Sequence, residues 1–186
     1  MIGYALCGSF CTFKDSTEAM KRLKEKYGEI LPIMSYNAYS TDTRFGDHDT
    51  WNKIIEDISQ KKIVNTIFEA EPLGPKISLD ALVIAPCTGN TLAKLANGIT
   101  DTPVCMAAKA HLRSDRPLVI ALASNDAMSA NLGNIAKLLT RKNIYFVPMC
   151  QDEPIKKPHS LVADFSLLEE TLEGAFAGKQ IRKLFL

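Results

Sequence analysis

Apolar positions along this chain form short runs, separated by stretches in which apolar residues recur every three or four positions. Residues 3–8, 30–35, 81–85, 118–122 and 144–147 are runs with the length of buried strands. Between the first two, Ala19, Met20, Leu23 and Tyr27 share a helical face, with Asp15 or Ser16 as cap and Gly28 as stop. Trp51, Ile54, Ile55 and Ile58 share another, capped by Asp49 or Thr50. A helix over 90–97 follows strand 81–85 at once, and Asp101 or Thr102 ahead of Pro103 caps the next. Helices over 129–140 and 166–177 complete the series. Residues 63–68 are a further apolar piece, while Pro72, Gly74 and Pro75 make 69–76 irregular. Residues 36–44, 124–128 and 148–160 read as loops. Strands alternating with helices at this interval predict right-handed crossovers within a single domain, 1–186. The expected architecture is α/β: a three-layer, Rossmann-like (flavodoxin-like) parallel sheet with helices on both faces.

The junction after strand 81–85 carries the most chemistry. Pro86 is expected to stop the sheet, and Cys87-Thr88-Gly89-Asn90-Thr91 leads straight into a helix. Such a turn offers amides and hydroxyls to an anion at the carboxyl end of a parallel sheet. Loops after the other strands converge on the same rim: Gly8 and Ser9, Ser35 to Asn37, and Ser124 and Asn125 through Met128. They are rich in hydroxyls, amides and glycine and poor in carboxylates, which suits a phosphate and a heteroaromatic ring. Neither a Gly-x-Gly-x-x-Gly after the first strand nor a Walker A loop occurs, so a mononucleotide such as FMN fits better than NAD or ATP. Each residue also has a plainer use: Thr88 as a helix cap, and Ser9, Ser35 and Asn125 as turn formers.

Composition narrows the classes. Hydrophobic residues make up 46% and charged residues 23%, with a net charge of +1, which is ordinary globular composition without a nucleic-acid footprint. No apolar run approaches a membrane span, and the apolar start reads as a first strand in preference to a signal peptide. Five cysteines without a Cys-x-x-Cys pair point to a reducing cytoplasm and no metal site, with Cys87 the thiol nearest the expected site. Arg44, Lys76, Lys109, Arg113 and Lys157 are the cations available to a dianionic substrate. Arg44 and Lys76 rank first because they lie in loops containing Gly or Pro. Glu69 and Glu71 fall on a loop, His111 and His159 read as ordinary, and no residue is assigned to catalysis.

The run from Ala85 through Cys87-Thr88-Gly89-Asn90-Thr91 to Asp101 resembles the Pro-Ala-Ser-Ala-Asn-Thr signature of the homo-oligomeric flavin-containing cysteine decarboxylases. That family includes phosphopantothenoylcysteine decarboxylase and the flavin prenyltransferases. Asn125 and Met128 match its Met-Asn-x-x-Met element, and Gly8, Ser9 and Ser35 its phosphate-contact positions. Four further segments are similar to the family of dipicolinate synthase B subunits: residues 40–46, 70–76, 106–110 and 151–158. This resemblance implies FMN, cofactor contacts from Gly8, Ser9, Ser35, Thr88, Gly89, Asn90, Thr91, Ser124, Asn125 and Met128, and assembly into trimers or larger shells. It also implies an A subunit carrying NAD(P), a small dicarboxylate substrate, and the mother-cell cytoplasm of a sporulating bacterium. The decarboxylases carry a catalytic His ahead of their signature strand. Here Phe68-Glu69-Ala70-Glu71-Pro72 holds none, so the resemblance carries the flavin pocket further than the decarboxylation chemistry; a non-catalytic scaffold for the A subunit and an FMN-dependent decarboxylase with relocated catalysis are the alternatives.

Overall fold

The computed structural model describes residues 1–181 and 183–186. Five parallel strands, β1 (Ile2–Leu6), β2 (Ile30–Met34), β3 (Ala81–Cys87), β4 (Leu118–Ser124) and β5 (Ile144–Phe146), lie in the order β2-β1-β3-β4-β5. This is the flavodoxin-like order expected from the alternation, with its switch point between β1 and β3. Expectation and structure part at the edge. Residues 148–160 are not wholly loop: β6 (Met149–Cys150) pairs with β7 (Leu161–Ala163), and β7 runs antiparallel to the end of β4, so the sheet is mixed. Two- and three-residue strands leave too little alternation to be seen in the sequence.

The central strands are buried on both faces, which explains their unbroken apolar runs. Leu82 and Ile84 of β3, with Leu118, Ile120 and Leu122 of β4, face one core beside Leu92, Leu95, Val104 and Ile135. Those four come from α5 (Gly89–Asn97), α6 (Pro103–Leu112) and α7 (Leu132–Leu139). Ala81, Val83, Val119 and Ala121 face the other core, against Phe13, Met20, Leu23, Ile55 and Leu168. The helices there are α1 (Phe13–Tyr27), α3 (His48–Ser59) and α8 (Leu168–Phe176). Three layers follow directly from this alternation along each strand.

Local boundaries shift for identifiable reasons. The sheet continues through Pro86 to Cys87, with a shift of register between Ile84 and Cys87; an irregularity of this kind is where a strand tolerates proline. Helix α1 begins at Phe13, behind a tight turn over Phe10–Thr12, and Ser16 lies inside it. There the Ser16 hydroxyl donates to the Ala85 carbonyl (2.5 Å), and the Tyr4 hydroxyl donates to the Ser16 carbonyl (2.8 Å). Asp47, not Asp49 or Thr50, caps α3 by accepting from the Thr50 amide (2.8 Å). Residues 63–68 divide: Val64 makes a single bridge to Ile33, and Thr66 caps α4 (Ile67–Ala70). Glu69 completes that capping box, which places it on a helix despite the neighbouring prolines. A short helix, α2 (Tyr36–Ser40), follows β2, capped by Ser35.

Candidate flavin site at the carboxyl rim of the sheet

Crossovers of one hand bring the ends of β1, β2, β3 and β4 to a single rim. Two cavities open there, of about 710 Å³ and 440 Å³, and Gly8 and Thr88 line both. The larger is walled by Phe10, Phe45, Ala123 and Val162 and edged by Ser9, Ser124 and Asn125. The smaller gathers Ser35, Asn90, Thr91, Lys94 and Thr102. Nine of the ten expected cofactor contacts therefore meet at one place. Met128 does not line either cavity: its amide donates to the His159 carbonyl (2.9 Å) and its side chain packs on the core. Arg44 lines the larger cavity, whereas Lys76 lies in the turn ahead of β3 and lines neither.

The hydroxyls at the start of α5 do more structural work than their exposure in sequence suggests. Thr88 Oγ1 accepts from the Thr91 amide (3.3 Å) and donates to Thr91 Oγ1 (3.2 Å), which donates to Cys7 Sγ (3.3 Å). This chain fixes the helix to β1 and leaves the first amides of α5 as the donors aimed outward. Gly89 is confined as well. A Cβ there would stand 2.6 Å from Asn131 Nδ2 and 2.8 Å from Asp126 Oδ1, so the close approach it permits is that of the loop after β4. Gly8, by contrast, would meet nothing nearer than Phe10 at 3.4 Å.

Charge gathers at the rim where the sequence suggested a neutral lining. Asp126 accepts from Ser124 (2.5 Å) and Asn131 (2.9 Å), and these bonds hold its carboxyl below the usual aspartate value. Asp152 pairs with Lys157 (2.8 Å), which lowers Asp152 and raises Lys157. Lys94 pairs with Asp101 (2.7 Å) on the wall of the smaller cavity. Arg44 sits over the Phe45 ring (4.8 Å) without an acidic partner among the described residues. Cys87 is not at the mouth. It is fully buried, and burial pushes its thiol well above the ordinary value. Burial also pushes Cys7 up to about 12, so both remain thiols, while Cys11 is the exposed cysteine on the cavity wall.

A helix N-terminus, Lys94 and small hydroxyls in one cavity, joined to an apolar slot with amide edges in the next, match a phosphate arm and a flat ring. The donor set therefore fits FMN. The flavoprotein family model matches residues 2–167. The chain belongs to the flavoprotein family.

Within that family the likeness is specific. The chain is 44% identical over 185 residues to the dipicolinate synthase B subunit of Bacillus subtilis (strain 168), covering 100% of this chain and 92% of that one. The crystal structure of the dipicolinate synthase B subunit from Bacillus halodurans C superposes with a TM-score of 0.91 at 43% identity, over 100% and 95% of the two chains. An FMN-dependent cysteine decarboxylase, SpaF, shares 26% identity with a TM-score of 0.69, over 94% and 95%. Nothing in the local sequence of this flavoprotein marked Lys94 or Val162 for the rim, whereas Asp126 came with the loop from Ser124 to Met128. Val162 arrives on a strand added from the far end of the chain, and Lys94 by helical periodicity from Asn90.

Proposed function

We propose that this chain is the B subunit of a dipicolinate synthase. It holds FMN at the carboxyl rim and acts with an A subunit of dinucleotide-binding fold, which carries NAD(P). Together they oxidise a dihydrodipicolinate-type precursor to pyridine-2,6-dicarboxylate in the mother-cell cytoplasm during sporulation. The observation that carries this reading is likeness to named B subunits along the whole chain, coupled to a cavity whose donors suit a flavin.

Completing the aromatic ring removes a hydride and a proton from the precursor, and FMN when bound supplies a two-electron acceptor. This chain's residues bind and orient. Ser35, Asn90, Thr102, Lys94 and the first amides of α5 hold the phosphate arm, and Ser9, Ser124 and Asn125 address the ring edge. Arg44 presents a guanidinium to one substrate carboxylate. Homo-oligomerisation, as a trimer or larger, would cover the exposed aromatics Tyr36 and Phe45 beside the cavities.

A second reading, a flavin-fold scaffold that positions the A subunit without chemistry, is favoured by the cavity's acid–base set. Its lining holds no histidine among the described residues, and Asp126 is tuned toward a weaker base. Dipicolinate formation by the purified A and B proteins, alone and mixed, with a flavin absorbance scan of this chain, separates the readings. Activity confined to the mixture, with a yellow B protein, is the expected result. Full activity from the A protein alone, or a B protein that takes up no FMN, sinks the catalytic assignment.

A further inference from the structure

A third cavity, about 370 Å³, lies away from the rim between the end of α5, the outer side of α6 and the residues after α7. Its wall is apolar where Leu95, Cys105 and Leu112 meet, and cationic where Lys109, Arg113 and Arg141 meet. No carboxylate of the described residues lines it. Lys109 and Arg113 stand one turn apart at the carboxyl end of α6, where the helix dipole favours cations. Neither has an acidic partner within ion-pair distance among the described residues, so both charges are available to a ligand. Arg141 is held in place: its two terminal nitrogens donate to the Leu95 (3.2 Å) and Ala96 (2.9 Å) carbonyls, which leaves other guanidinium donors available.

From this we infer that the α5–α6–α7 cavity is a second binding site, taking a small aromatic dicarboxylate. The cations come from two places, Lys109 on α6 with Arg113 at its carboxyl cap, and Arg141 beyond α7, so they can engage two carboxylates on one rigid body. The apolar wall suits a flat ring, and the volume lies at the small end for ligand cavities. This inference does not depend on the assignment of the rim.

The test is calorimetric titration of the whole protein with pyridine-2,6-dicarboxylate, with inorganic phosphate as the comparison anion. Saturable binding is expected, with phosphate at least about tenfold weaker because it cannot use the apolar wall. The double variant K109A/R113A should weaken binding about tenfold or more while its FMN uptake and melting temperature stay unchanged. The single variant R44A, which alters only the rim cavity, should leave the K109A/R113A-sensitive binding event in place. Absence of saturable binding up to about 10 mM overturns the proposal. So does binding that R44A abolishes and K109A/R113A does not, or phosphate binding as tightly as the dicarboxylate. Should K109A/R113A melt early, R113Q alone, at the exposed helix end, must still weaken the dicarboxylate.

Discussion

Gly89 is packed so closely against Asn131 that a Cβ on it would stand 2.6 Å from the Asn131 amide nitrogen. The loop after β4 thus seats directly on the first turn of α5, and the two loops form one wall. Ser124, Asp126, Asn131 and Asn134 are linked by hydrogen bonds along that wall, so a displaced member moves the others. Gly89→Ala should therefore cost about 1–3 kcal/mol of stability, as overpacking does, and weaken FMN uptake. Gly8→Ala, with ordinary van der Waals room, should change melting by much less. Thermal unfolding and flavin titration of the two variants check this; equal stability of both would contradict the packing argument.

Arg44 is presented by a braced turn. The Thr43 and Gly46 backbones exchange hydrogen bonds (both 3.1 Å), and the Trp51 indole donates to the Phe45 carbonyl (3.2 Å). In the reaction reconstituted with the A protein, Arg44→Ala should raise the substrate KM about tenfold or more with FMN binding unchanged, and Arg44→Lys should recover part of it. Lys76→Ala, outside both rim cavities, should leave KM alone. A KM unaffected by Arg44→Ala removes Arg44 from substrate binding.

The same turn should respond to pH. His48 Nδ1 lies 2.7 Å from Asp42 Oδ1, and this bond raises the imidazole above its ordinary value while the His48 amide and ring lower Asp42. A raised folded-state value means that the contribution is fully present below the unfolded histidine value, about 6.5, and is lost as pH rises through the folded one. Asp42 stays ionised throughout that window. Protection factors of the amides over residues 43–46, which correct for the base-catalysed intrinsic rate, should consequently be higher below the unfolded histidine value, about 6.5, than above the folded one, and Asp42→Asn should erase that difference. An NMR titration placing His48 at or below the ordinary value would end this account.

Thiol reactivity should follow burial. Cys11 is exposed on the cavity wall, while Cys7, Cys87 and Cys105 are buried with thiols held above their ordinary values by that burial. Mass spectrometry after brief alkylation should find Cys11 modified first and the three buried thiols modified only on denaturation. FMN should slow Cys11 labelling. Rapid modification of Cys87 in the native protein would show that the β3 end opens.

How much could be read beforehand varies by element. The five parallel strands were legible because both faces of β3 and β4 are covered, which demands continuous apolar runs. Thr102 and Pro103 announced α6, since a hydroxyl cap followed by proline is a purely local device. Residues 149–163 hid a strand pair because two or three residues cannot display a period. The rim was legible as a set of small polar loops, yet Thr91 pointed inward to Cys7, and the acidic Asp126 and Asp152 went unweighed. Those outcomes depend on which side chain another element supplies, and single-residue preferences carry no such information.

By itself, the order of residues determined that this chain alternates strand and helix, that its sheet is centrally parallel, and that hydroxyl- and glycine-rich turns lie at the strand ends. These are consequences of local periodicity and of the single hand of the crossover. Only the tertiary structure decided that Val162, from an antiparallel strand late in the chain, walls the cavity with Phe10 and Phe45. It alone set Lys109, Arg113 and Arg141 around a second hollow. Both arrangements join residues distant in sequence, and long-range packing, not local preference, fixes their meeting.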